Sequence, residues 1–142
     1  EFDIHGPGTN NRSGLLGALQ ETTRFDPKCG AHNAEDATSN LGLCALPTSG
    51  KPAWMLVDFT KTDAQARTVK VGTFTGRRFV ASDTGSPNGI EPFQAPRYVI
   101  EPIQDPGNRD LSSTSSYVFR VTAMGFGPRK DIQAVTQIIY RN

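Results

Sequence analysis

The final stretch of the chain, Tyr117 to Asn142, limits the possible folds more than any other part of the sequence. It contains two alternating runs on either side of a glycine-rich connection. In the first, Tyr117, Phe119, Val121 and Ala123 alternate with Val118, Arg120, Thr122 and Met124. In the second, Ala134, Thr136, Ile138 and Tyr140 alternate with Val135, Gln137, Ile139 and Arg141. A period of two in β-branched and aromatic residues is the pattern of half-buried strands, whose successive side chains face opposite ways. Gly125, Gly127 and Pro128 interrupt both runs and permit a reversal. The chain is therefore expected to close in an antiparallel hairpin.

The same period recurs upstream. Trp54 to Phe59 is apolar and strand-like. Arg67 to Phe74 alternates Val69, Val71 and Thr73 with Thr68, Lys70, Gly72 and Phe74. Gly76, Arg77 and Arg78 turn it toward Phe79 and Val80. Arg97 to Ile103 reads as another strand, with Glu101 before Pro102 at its end, placed for a surface or interface contact. The polar stretches Ser82–Pro96 and Asp105–Ser116 read as loops. Residues 1–52 are mostly turns, with one short helix expected over Ser13–Thr22, capped by Ser13 and carrying Leu15, Leu16 and Leu19. With 142 residues the chain is expected to form one domain, 1–142, with a loop-rich part (1–52) and a sheet part (53–142). The expected class is α+β, with an antiparallel sheet of about four or five strands, long loops and little helix. A sheet needs cover on its apolar face. One short helix is too little, so either the long loops cross the sheet or helix precedes Glu1.

Charge narrows the function. Fifteen Lys and Arg stand against fourteen Asp and Glu, a net charge of +1, which gives no electrostatic basis for a nucleic-acid or anionic-membrane partner. The pairs Arg77–Arg78 and Arg129–Lys130 sit beside glycines and read as solvated turns rather than phosphate sites. No apolar stretch approaches the ~20 residues that span a bilayer as a helix. Trp54, the single Trp, lies in an apolar run and is read as core.

Cys29 and Cys44 lie in a segment rich in Gly, Asn and Thr, unlike a redox C-x-x-C pair. A disulfide is the favoured reading, closing a loop for about 3 kcal/mol and implying an oxidising compartment. A metal site using Cys29, His32 and His5, or two free thiols, are the alternatives. Enzymatic motifs fail on their residues. Gly50-Lys51 is followed by Pro52 and preceded by Ala45 where a phosphate loop needs Ser or Thr and Gly. Gly72 to Gly76 carries Phe74 at the nucleophile position of a hydrolase elbow. His5 and His32 lie in expected loops, outside any triad context. Asp105 and Asp110 flank Pro106-Gly107-Asn108-Arg109, where an Asx-capped turn is favoured over calcium because Arg109 opposes a cation. No enzyme activity, metal or cofactor is expected.

Several blocks in order resemble one family. They are Cys29, Gly42-Leu43-Cys44, Pro52-Ala53-Trp54, Gly72-Thr73-Phe74-Thr75-Gly76, Pro96-Arg97-Tyr98-Val99-Ile100-Glu101, and Phe119-Arg120-Val121-Thr122-Ala123-Met124-Gly125-Phe126-Gly127. The last two resemble most specifically the P-[RK]-Y-x-I-E strand and Y-R-V-T-A-x-G-x-G hairpin of PilX-type minor pilins of type IV pili. Met124 stands where that family often has Arg, and Phe119 where it often has Tyr. The resemblance covers most of the chain and implies a pilin-like periplasmic domain. It also implies a long N-terminal helix before Glu1, anchored in the inner membrane and covering the sheet, and later a place at the pilus surface. In its absence an apolar face is expected to be open or covered by another chain. The implied function is non-enzymatic: promotion of pilus assembly, within a tip or priming complex, with effects on twitching motility. Implied partners are other minor pilins, the major pilin and a tip adhesin. Alternatives are an adhesive module binding DNA or glycan, and a type II secretion pseudopilin. Contact residues are sought on loops, at Asn88, Glu91, Asp105, Asn108, Arg109 and Asp110.

Overall fold

The computed structural model describes residues 24–30, 40–76, 91–105 and 117–141. Its centre is an antiparallel sheet of four strands in the order β1-β2-β3-β4: β1 Val69–Lys70, β2 Arg97–Gln104, β3 Tyr117–Phe126 and β4 Gln133–Tyr140. The helical element next to this sheet is a short 3₁₀ turn, Ala53–Met55. The expected β-rich sheet with little helix is present. The Ser13–Thr22 helix lies outside the described residues, as do His5, His32 and Arg77–Arg78.

The closing hairpin forms where the alternation places it. β3 pairs with β4 from Phe119↔Tyr140 to Phe126↔Gln133. Gly125 does not break β3. It pairs with Ala134 inside the ladder, and the reversal begins only at Gly127, whose amide donates to the Ile132 carbonyl at 2.8 Å. Arg129 and Asp131 pair across this turn, and the Lys130 ammonium lies 4.9 Å from the centre of the Phe93 ring.

Two upstream expectations need correction. Trp54–Phe59 is not a strand. Pro52, with φ −61°, sets the entry to a 3₁₀ turn, and the Leu56 amide donates to the Ala53 carbonyl. Trp54 is only half-buried, packed against the second of two core clusters. The Arg67–Phe74 alternation also shrinks, to β1 alone. Gly72 takes φ +96° and the chain turns there, with the Gly76 amide donating to the Gly72 carbonyl. Consecutive Thr68 and Val69 are both buried, which a half-exposed strand would not allow.

β2 spans Arg97–Gln104, the expected strand through Pro102 with one residue more. The ladder tolerates the proline because of direction. The Ile100 amide donates to Gly42 and its carbonyl accepts from Cys44, so Ile100 and Pro102 turn their backbone groups away from β3. Residues 42–44 thus flank β2 beyond the short β1, and Leu43 bridges Ile100 in parallel. The Asp26 amide in turn donates to the Leu43 carbonyl, adding an outer layer.

Each face of β2 and β3 carries its own core. On one, Tyr98, Ile100 and Phe119 meet Phe25, Leu41, Leu43, Val69 and Phe74, with the Phe25 and Phe119 rings stacked at 6.0 Å. On the other, Val99 and Phe126 meet Cys29, Cys44, Ala53 and Phe59.

Gly42 sits where the irregular segment passes close to β1. Its φ is +74°, and a Cβ there would lie 2.5 Å from the Val69 Cγ2. Left-handed strain and overlap act together at a residue that donates to Cys29 and accepts from Ile100. Gly42→Ala is therefore expected to lower unfolding free energy by about 2–3 kcal/mol in urea titration. A loss under about 0.5 kcal/mol would show that the segment is not held this closely.

Candidate interaction surface

The disulfide joins Cys29 to Cys44, with 15 residues of sequence separation, and both cysteines are buried. Neither thiol is left to ligate a metal, so the Cys29–His32–His5 reading and the free-thiol reading both fall. Among the described residues no cluster of three or more His, Cys, Asp or Glu could hold an ion. The crosslink fixes residues 42–44 against β2, and a loop of that length contributes about 3 kcal/mol.

Behind it lies a buried ion pair. Glu101 is 0% exposed, in the body of β2 rather than at its end, which corrects its placement as a surface contact. Its Oε1 accepts the Ala53 amide at 2.8 Å and the Trp54 amide at 3.4 Å. Its Oε2 accepts Arg120 Nε at 3.1 Å and Nη2 at 3.0 Å. Both carboxylate oxygens are thus satisfied, as burial of this charge requires. One side chain holds the 3₁₀ turn to β2 and β2 to β3.

The remaining expected contact residues divide. Asn88, Asn108, Arg109 and Asp110 lie outside the described residues. Glu91 is exposed. Asp105 is buried and forms a two-pronged pair with Arg141, Nη1 to Oδ2 at 2.6 Å and Nη2 to Oδ1 at 3.0 Å. That pair ties the end of β2 to the residue after β4. It is a contact within the chain.

Two surface features were not read from the sequence. Beside the disulfide is a cavity of about 370 Å³ lined in part by Lys28, Leu56, Val57, Asp58 and Lys61. The Thr60 hydroxyl and amide hold the Asp58 carboxyl below its usual range. The larger feature is β4. All its residues are exposed, on both faces of the sheet. Ile138 is 58% and Ile139 59% exposed, with Val135 and Tyr140 close behind. Ile138 and Tyr140 extend the strip formed by Val121 and Phe119, their partners on β3. Val135 and Ile139 point to the opposite face.

The free edge is also polar. The Gly127–Ile132 bond sets the phase of the ladder, so Gln133, Val135, Gln137 and Ile139 direct their backbone groups outward. Among the described residues no strand pairs with that edge. The eight residues of β4 include no charge, proline or glycine, the devices that normally blunt an edge strand. Such an edge is suited to accept a further strand, and its faces to accept apolar side chains.

A family model described as "Type IV pilus assembly protein PilX C-term" matches residues 26–142. No curated protein and no solved structure matches the chain.

The two ion pairs are expected to differ in weight. Glu101→Ala leaves Arg120 and two amides without their acceptor in the interior, and should cost about 3–5 kcal/mol. Asp105→Asn breaks a pair whose Arg141 side chain is largely exposed, and should cost about 1 kcal/mol or less. Equal shifts in the urea midpoints of the two variants would contradict this ranking.

Proposed function

The chain belongs to the PilX family of type IV pilus assembly proteins, and on that premise we propose that it is a minor pilin acting through protein–protein contacts in a tip or priming complex. The observation that carries this reading is β4, an apolar strand with both faces exposed and its outer edge unpaired among the described residues. Exposed aliphatic side chains of this density are costly unless another surface covers them. The partners are other minor pilins, the major pilin and a tip adhesin, and twitching motility is the downstream process. The location that fits is the periplasmic side of the inner membrane, then the pilus. Among the described residues no helix is long and apolar enough to cross a membrane.

The disulfide-bounded segment is a second element of the contact surface. Its described ends, residues 29–30 and 40–44, are joined by the disulfide; Cys29 borders the cavity, and residues 42–44 lie on the edge of β2 remote from β4. Two separated surfaces would let one subunit join two neighbours. We further propose that residues 1–142 act as a single domain in this role.

Deletion of the gene is expected to abolish or sharply reduce surface pili, counted by shearing and electron microscopy. Ile138→Asp and Ile139→Asp test the two faces of β4 separately. Each is exposed, so each should change stability by about 0.5 kcal/mol or less while reducing pili. Normal piliation and twitching in the deletion strain would overturn the assembly role. Normal piliation in both point variants would remove β4 from it.

A further inference from the structure

Arg97 opens β2 and is 6% exposed, yet among the described residues its hydrogen bonds go to neutral groups. Nε donates to the Thr68 hydroxyl at 2.6 Å, and Nη2 donates to the Thr68 carbonyl. Among the described residues no carboxylate pairs with it. A guanidinium has five N–H donors in a planar fork, and Thr68 takes the lateral Nε/Nη2 edge. The terminal edge, Nη1 with the second Nη2 hydrogen, keeps the geometry that receives a carboxylate on two bonds. Burial lowers the pKa of Arg97, but from so high a value that the side chain remains a cation. A buried charge with no counter-charge is strongly unfavourable, so this arrangement calls for an anion.

The surroundings supply a place for one. Arg97 lines a cavity of about 290 Å³ together with Lys70, Thr62, Thr73 and Gln94, and no acidic residue is among the described lining residues. Lys70 stands opposite Arg97 in the β1–β2 register and is exposed, with no ion-pair partner among the described residues. The two threonine hydroxyls add neutral donors. Gln94 donates its amide nitrogen to the Phe59 carbonyl at 3.1 Å, which fixes that side chain at the cavity wall. The volume falls at the small end of ligand sites, enough for one side-chain group and too little for a sugar chain or a base with its phosphate. The planar fork matches the two oxygens of a carboxylate, and the Lys70 ammonium adds a second cation beside it.

We propose that this cavity is a carboxylate receptor that seats an acidic side chain of a neighbouring pilus subunit. The carboxylate chemistry stands on the cavity itself, whereas the source of the carboxylate rests on the pilus-assembly reading above. The bond is a charge-assisted lock at the end of the sheet where β1 meets β2, separate from the apolar contacts of β4.

The test has two arms. The ¹⁵N-labelled domain is titrated with sodium acetate, and separately with sodium phosphate and sodium chloride at matched ionic strength. Acetate is expected to give saturable shifts at the Arg97 guanidinium and the Lys70, Thr73 and Gln94 amides, and Lys70→Gln to weaken that binding roughly tenfold. Shifts that track chloride, shifts unchanged by Lys70→Gln, or tighter binding of phosphate would each overturn the carboxylate site. In the second arm the full-length protein carries Lys70→Glu in pilus-forming cells. Reduced piliation and reduced co-purification with the other minor pilins are expected. Normal piliation, in a strain where gene deletion does abolish pili, would assign the cavity to a free small anion and overturn the subunit source. Normal piliation on deletion as well would instead sink the pilus-assembly reading, while the acetate arm would still decide the site.

Discussion

Strand β2 lies inside the molecule with hydrogen-bonding groups on both edges, and the fold depends on satisfying both. β3 pairs with one edge along its whole length. The other edge cannot be served by β1, which offers only two residues. Gly42 and Cys44 complete it through bonds to Ile100, and the disulfide to Cys29 holds that irregular segment in place. Unpaired backbone groups here would each cost about 1–3 kcal/mol, so the crosslink stabilises the sheet as well as the loop it closes. Glu101 completes the same strand on its side-chain face, by accepting from the 3₁₀ turn and from Arg120.

This arrangement makes the sheet unequal at its two ends. The β1 side is closed by successive layers, residues 42–44 and then Asp26. The β4 side is open along its edge and on both faces. Closure uses polar backbone bonds and a covalent link, which keep their geometry without a partner. The open side presents uncharged, β-prone residues, whose exposure is relieved when another surface covers them. A subunit that must join an assembly is served by such a division: a rigid end that sets shape and an incomplete end that binds.

The sequence revealed strands where period-two patterning governs burial and failed where distant partners do. β2, β3 and β4 were legible because each alternates and each is bounded by loop residues. The Ala53–Met55 turn was not, because an apolar run alone does not separate strand from turn. What decides it is a carboxylate 48 residues away. How the β2 ladder accommodates Pro102 was not legible, since the direction of its missing amide depends on a ladder phase that only the fold fixes. Glu101 and Arg97 both occupy strand positions that polar residues normally present to solvent. Their burial follows from the loops laid over them, and no periodicity carries that. The disulfide was legible from context, and its use as a splint for β2 was not. Of the loop residues expected to make contacts, Glu91 is exposed and Asp105 is occupied within the chain.

Amide hydrogen exchange at β4 tests the central claim most directly. The outward amides of Gln133, Val135, Gln137 and Ile139 are compared in the isolated domain and in the complex with the other minor pilins. The account predicts fast exchange at these four positions in isolation, slow exchange at Ala134, Thr136 and Ile138 in both states, and strong protection of the outward set in the complex. Outward amides that exchange as fast in the complex as in isolation would contradict the assignment of β4 as the open, partner-binding edge.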